Sequence, residues 1–360
     1  MEKVPASYYG MDEERLRRRI RERKEALGPR LVILGHHYQT QAVIDFADFR
    51  GDSLALCRLA AGQRECEFIV FCGVRFMAES AEILRAAHQV VQHPDPEAGC
   101  PMADMGDIGK VEDAWRRVTE GVGESGILPV TYMNSSAELK AFCGRHGGTV
   151  CTSSNADKVL NWAYQRADRV FFFPDEHLGR NTARRIGIPA EQILLWEPRD
   201  PMEQSEGAAA KQALGRSRLL LWKGHCHVHQ SFRVDHVRRA GRQDPGAKVV
   251  VHPECAEDVV QAADACGSTE YICRFVAEAP SGATIYVGTE SRLVRRLARE
   301  HPDKRILELA DSTCPDMSRI DLTKLLFALD GAGQVNRVSV PAEIRKEART
   351  ALERMLSLPA

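Results

Sequence analysis

Three times along the chain the same order of features returns. An apolar run ends in a polar cluster, a hydroxyl opens a helix, a second apolar run follows, and a loop cysteine closes the pass. In the first pass Leu31–Leu34 stops at Gly35-His36-His37-Tyr38, and Gly51-Asp52-Ser53 opens a helix. Phe68–Phe71 comes next, and Gln89–Gln92 leads to Gly99-Cys100-Pro101. In the second, Ile127–Val130 reaches Tyr132-Met133-Asn134, Thr152-Ser153-Ser154-Asn155 opens a helix, Val170–Phe173 follows, and Leu219–Trp222 leads to Cys226. In the third, Lys248–Val251 reaches His252-Pro253-Glu254, and Gly267-Ser268-Thr269 opens a helix. Thr284–Val287 follows, and Arg305–Leu309 leads to Cys314-Pro315. From the serine to the second run the spacing is 18, 19 and 18 residues, measured Ser53 to Phe71, Ser153 to Phe172 and Ser268 to Tyr286.

A repeated unit constrains the fold more than any single motif. Apolar runs alternating with helical stretches imply parallel sheets covered by helices on both faces. The pattern predicts an α/β protein of three repeated α/β/α sandwich domains, over residues 1–108, 109–229 and 230–317. The tail, residues 318–360, carries helical stretches at Asp321–Leu326 and Ala342–Leu356 and is expected to pack back on the first unit. The stretch before Leu219 reads as a long helical excursion rich in Arg and Ala.

Ligands of parallel sheets bind beyond the carboxyl ends of the strands. The clusters His36/Tyr38, Tyr132/Asn134 and His252/Glu254 lie there. Ser53, Ser153, Ser268 and Thr269 stand where hydroxyls and free amides at helix starts hold anions. Three units facing one another would bring these groups, and Cys100, Cys226 and Cys314, to one central pocket.

Three thiolates can hold a metal or an iron–sulfur cluster, and a fourth iron left without a cysteine would be open to substrate as a Lewis acid. Cys226 and His229 have a spacing that zinc would also accept. Glu254, a carboxylate at a strand end beside His252, is the leading general acid/base, with His36 and Tyr38 as further proton-handling or hydrogen-bonding groups. His225 and His227 read as loop residues and Arg180–Arg185 as a solvated helix face. Cys255 has no counterpart in the repeat, and Gly144–Gly148 lacks the Lys-Ser/Thr of a phosphate loop.

Lys plus Arg is 49 and Asp plus Glu is 50, a net charge of −1. That balance argues against nucleic acid as a partner, because phosphate contacts require a basic surplus. No apolar run is long enough to span a bilayer, and the first ten residues lack a signal-peptide core. A cytoplasmic location with no membrane partner is expected. The 11 cysteines are odd in number and irregular in spacing, unlike a disulfide framework. Cys57, Cys72, Cys143 and Cys151 read as buried small hydrophobes.

Ten stretches in order along the chain resemble the quinolinate synthase family. They are GHHYQ (Gly35–Gln39), GDS (Gly51–Ser53), TYMNSSAELKA (Thr131–Ala141), TSSNA (Thr152–Ala156), FFFPDEHLGRN (Phe171–Asn181), WKGHCHVH (Trp222–His229), HPEC (His252–Cys255), GSTEYI (Gly267–Ile272), VGTE (Val287–Glu290) and CPDM (Cys314–Met317). The resemblance implies three α/β/α domains about a pseudo-threefold axis, with the active site at their central interface. It implies a [4Fe-4S] cluster on Cys100, Cys226 and Cys314, and condensation of iminosuccinate with dihydroxyacetone phosphate to quinolinate. His36, Ser53, Tyr132, Asn134, Ser153, His252, Glu254 and Thr269 would hold the reactants, with Tyr38, His229 and Ser268 completing the wall. An aspartate oxidase or aspartate dehydrogenase would supply the imine. HPDPEAGC before the first cysteine, His146-Gly147-Gly148, the longer Ala-rich stretch Asp200–Gly215 and the residues after Cys314 depart from the family's usual pattern. The competing readings are another cluster-dependent hydro-lyase, an iron or redox sensor, and a zinc-binding structural protein.

Overall fold

The computed structural model describes residues 2–197 and 208–358. Thirteen strands among these residues form three sheets, and every strand pairing in them is parallel. The first sheet contains β1 (Leu31–His36), β2 (Phe49–Gly51), β3 (Phe68–Cys72) and β4 (Val90–Gln92), in the order β2-β1-β3-β4. The third contains β10 (Lys248–Val251), β11 (Ala265–Cys266), β12 (Thr284–Gly288) and β13 (Arg305–Glu308), in the order β11-β10-β12-β13. The second repeats that order with β5 (Ile127–Tyr132), β6 (Thr149–Cys151), β7 (Arg169–Phe173) and β9 (Leu219–Trp222). It adds β8 (Ile193–Trp196) outside β9, giving β6-β5-β7-β9-β8.

The apolar runs are strands buried on both faces, as crossover helices require. Phe171, Phe172, Phe173, Leu219, Leu220, Leu221 and Trp222 are all fully buried. Each such side chain contributes roughly 1.5–3 kcal/mol of burial. Helices return the chain between strands, among them Ser53–Gly62, Arg75–Leu84, Ala156–Tyr164, Glu176–Arg185, Thr269–Glu278 and Ser291–Glu300.

Four strands depart from the sequence expectation. β2, β6 and β11 are edge strands of two or three residues, paired to the first long strand of their sheets. They are too short to show a period, and pairing with a long neighbour makes them strands. β8 lies inside the stretch read as a helical excursion. Its Ile-Leu-Leu-Trp run pairs in register with β9, Trp196 opposite Trp222. The helix Ala208–Arg216 follows, while residues 198–207 of the Ala-rich stretch lie outside the described residues.

The tail also divides. Leu322–Asp330 packs on Glu13–Leu27 of the first unit, where Arg19 and Arg23 pair with Asp330. The last helix, Ala342–Ser357, instead lies mainly against the helix Ala137–Arg145 and β6 of the second sheet, with a smaller contact to Arg75–Leu84 of the first. Gly144 explains how closely it docks, since a Cβ there would stand 2.0 Å from the Glu347 carbonyl oxygen. Gly148 instead lets the chain pass β5, where a Cβ would stand 1.9 Å from the Pro129 carbonyl oxygen.

Candidate active site

The carboxyl ends of the three sheets face one cavity. The space not filled by protein atoms, counted out into the solvent at its mouth, is about 730 Å³. His36, Tyr38, Ser53 and Cys100 reach it from the first sheet, Tyr132, Asn134, Ser153 and Cys226 from the second. His229, next to Cys226, and His252, Glu254, Thr269 and Cys314 from the third complete the polar wall. Of the groups the repeat was expected to gather, all but Ser268 line this cavity.

Each of the three cysteines stands immediately before a short helix: Cys100 before Pro101–Met105, Cys226 before His227–Gln230, Cys314 before Pro315–Ser318. The arms are cross-braced. Trp222 Nε1 donates to the Met105 carbonyl oxygen at 2.9 Å, tying the strand before Cys226 to the helix after Cys100. Gly224 is required where this arm passes, since a Cβ there would stand 2.2 Å from the Pro174 carbonyl oxygen. Burial pushes all three thiols up, Cys314 to about 11 and the other two further. The backbone amides of Ala103, His229 and Met317 oppose that rise. Neutral thiols are therefore favoured unless a positive centre holds them as thiolates, and three soft donors converging on one cavity are a donor set for iron–sulfur chemistry.

Across the cavity runs a chain of hydrogen bonds joining all three sheets. Tyr132 donates to Glu254 Oε1 at 2.6 Å, and His229 Nδ1 lies 2.7 Å from Glu254 Oε2. His229 Nε2 lies 3.1 Å from the Thr289 hydroxyl, which is 2.8 Å from the Tyr38 hydroxyl, itself 3.2 Å from that of Thr269. The carboxylate fixes a proton on His229 Nδ1. Burial opposes ionisation of Glu254, but His229 and the two hydrogen bonds outweigh it and hold its carboxyl below the usual range. Burial and the nearby Glu254 charge push the Tyr38 and Tyr132 phenols well up. The same two causes raise Asp175, behind the pocket, well above the carboxylate range.

His36 and His252 share one local device. Nδ1 of each accepts the backbone N–H two residues on, from Tyr38 at 3.2 Å and from Glu254 at 3.3 Å. Burial first, then neighbouring positive groups, depresses both, His252 to about 3. Each is a neutral imidazole with its Nε2–H free to donate. His252 stacks on His229 at 4.4 Å between centroids. Asn134 Oδ1 is buried with no protein partner.

One expected wall residue does other work. The Ser268 hydroxyl accepts from the Tyr271 amide at 3.2 Å and caps the helix Thr269–Glu278, leaving Thr269 to face the cavity. His227, read as a loop residue, lines the cavity, whereas Cys255 is core. Residue type and position alone do not single out Asp52, Thr152, Met317 and Thr289. Asp52 caps Ser53–Gly62 and also accepts from the Ser154 hydroxyl at 2.6 Å, linking two sheets. Thr289 sits in the quoted VGTE stretch, and only its place between Tyr38 and His229 gives it a role.

A mononuclear site is also conceivable on geometry, since donor atoms of Cys226, His229 and Glu254 lie within 4.8 Å of one another. Both His229 nitrogens are already engaged, however, and Glu254 already accepts from two groups.

Comparison with known proteins agrees over nearly the whole chain. The family described as Quinolinate synthetase A protein matches residues 18–357. The quinolinate synthase of Geobacillus kaustophilus is 49% identical over 363 residues, covering 99% of this chain and 97% of the relative. That of Halalkalibacterium halodurans is 48% identical over 98% of this chain and 96% of the relative. That of Bacillus cereus strain AH187 is 45% identical with the same coverage. With such matches from end to end, and three parallel sheets around one cysteine-bearing cavity, the chain belongs to the quinolinate synthase family.

Proposed function

We propose that the chain condenses iminosuccinate with dihydroxyacetone phosphate to give quinolinate, with loss of phosphate and water and no net oxidation. Membership of the family makes it an enzyme of quinolinate formation and implies an iron–sulfur cluster. The observation that carries the finer reading is the meeting of Cys100, Cys226 and Cys314 at the cavity that also holds the Glu254 network. Three thiols without a fourth suit a [4Fe-4S] cluster with one open iron. When bound, that cluster supplies a Lewis acid for a departing hydroxyl.

The other roles belong to side chains. Glu254, ionised and fixed by Tyr132 and His229, takes the proton that turns the imine into its nucleophilic enamine. Tyr38 donates its proton to the ketose oxygen and recovers one from His229 through the Thr289 hydroxyl. His36 and His252 offer neutral Nε2–H donors to carboxylates without adding charge. Asn134, Ser53, Ser153 and Thr269 hold the remaining carboxylate and phosphate oxygens, with helix-start amides beside the hydroxyls. Ser268 contributes through its helix cap.

We further read the chain as three units, 1–108, 109–229 and 230–317, working in the cytoplasm, where a reducing environment keeps free thiols available. Among the described residues no helix is long and apolar enough to cross a membrane. The imine is hydrolytically unstable, so an amino-acid oxidase or dehydrogenase acting on aspartate has to supply it close by.

Anaerobic purification followed by feeding of both substrates tests this. Brown protein with about four irons per chain and quinolinate as product is the expected result. Colourless zinc-bearing protein, or brown protein forming no quinolinate, rejects the reading.

A further inference from the structure

Each sheet is followed on its second long strand by a helix: Arg75–Leu84 after β3, Glu176–Arg185 after β7, Ser291–Glu300 after β12. From the second turn of each, one polar side chain leaves its own unit and grips the backbone of the next unit's pocket loop. Glu79, seven residues beyond the end of β3, accepts from the Ala137 amide at 3.2 Å, just after the loop bearing Tyr132 and Asn134. Asn181, eight beyond β7, donates through Nδ2 to the carbonyl oxygens of Pro253 at 2.8 Å and Cys255 at 2.9 Å, on either side of Glu254. Arg296, eight beyond β12, donates to the His37 carbonyl oxygen at 2.8 Å and contacts His37 Nδ1 at 3.1 Å, between His36 and Tyr38. Asn181 and Arg296 are 9% and 2% exposed, so these bonds form away from competing water.

We propose that Glu79, Asn181 and Arg296 are a cyclic set of positioning residues, first sheet to second, second to third and third to first, that fix the pocket loops against one another. The proposal rests on the function argued above. None of the three lines the cavity, so each acts through the loop it holds. The Glu254 peptide is the most completely held, because Gln230 Nε2 also donates to its carbonyl oxygen at 2.8 Å. Three consecutive carbonyls are thus engaged by two side-chain amides. Errors in loop placement of about 1 Å reduce turnover on the order of 100-fold, which is the sensitivity such a set would guard against.

Asn181→Asp keeps the shape and removes both donors, Arg296→Met removes the guanidinium, and Arg296→Lys restores one donor. The anaerobic, iron-loaded enzyme is compared for kcat, KM, iron content and amide hydrogen exchange. Expected are a kcat at least about tenfold lower for Asn181→Asp and Arg296→Met, KM within about twofold, unchanged iron, and recovery of most of kcat in Arg296→Lys. Exchange should rise at residues 252–256 in Asn181→Asp and at 36–39 in Arg296→Met, with the strand cores unchanged. Unchanged kcat, a loss of kcat that tracks lost iron, or exchange rising throughout the molecule overturns the proposal. Should the wild type form no quinolinate, the function falls by that result, and the exchange pattern alone decides the positioning role.

Discussion

The loops after β1 and β10 are built alike and carry different chemistry. Both place a histidine at the strand end, turn its Nδ1 back onto the amide two residues on, and leave Nε2–H toward the cavity. The residue two positions on differs: Tyr38 in one loop, Glu254 in the other. Burial raises the phenol out of range of ionisation, while His229 and Tyr132 overcome burial at the carboxyl and keep it charged. One backbone device therefore presents a neutral donor on one side of the cavity and an anionic acceptor on the other. The difference lies in a single side chain and its partners.

Breaking the anionic side should have the largest effect. Glu254→Gln keeps the hydrogen-bond shape but loses the base, so kcat/KM should fall on the order of 10³-fold with iron content unchanged, as read by steady-state assay and iron analysis. Turnover within tenfold of wild type would remove Glu254 from the proton-transfer role. Tyr38→Phe tests the neutral side. It leaves Thr289 and Thr269 without their shared partner and should lower kcat by about 10²-fold.

The shared device predicts equal costs where the chemistry predicts unequal ones. His36→Ala and His252→Ala each strand a buried amide and should each lower unfolding stability by roughly 1–3 kcal/mol, measured by urea denaturation under anaerobic conditions. A much larger cost in one loop would show that the two are not equivalent in backbone terms.

The smallest effect concerns neutral imidazole outside the pocket. His93 Nε2 donates to the Gly73 carbonyl oxygen at 2.7 Å, and burial depresses the ring to about 4. The unfolded chain then binds the proton first, so the stabilising contribution is complete above the ordinary pKa and is lost as pH falls toward 4. Near pH 5.5 the loss is about 1 kcal/mol. His93→Gln should flatten stability against pH by that amount, leaving the remaining slope to His36, His252 and the other titrating groups.

Much of this was legible because the long strands carry their own signal. Runs such as Phe171–Phe173 and Val249–Val251 are apolar enough to mark themselves, and polar clusters at their ends mark the cavity. The short edge strands were not legible, since Ala265-Cys266 has no pattern of its own and becomes a strand only beside β10. β8 was hidden for a different reason. Its apolar run was visible, but the Arg- and Ala-rich surroundings outweighed it. At the site, residue type and position brought forward Glu254 and the three cysteines, which line the cavity. Thr289 and Asn181 could not be identified that way, because their roles depend on partners 60 or more residues away in sequence. Ser268 shows the converse: the right residue at the right place, with its hydroxyl taken by the helix it opens.

The strands that carry the three cysteines have unequal neighbours. β9 is flanked on both sides, by β7 and β8. The outer side of β4 is covered by the 336–338 segment, which bridges through Arg337 and donates from Val338 to Val91. β13 has a strand on one side alone among the described residues. Local opening is cheapest at an unbuttressed edge, and Cys314 is also the thiol whose acidity is least suppressed. The Cys314 arm is therefore expected to exchange its amides soonest of the three, and the Cys226 arm last.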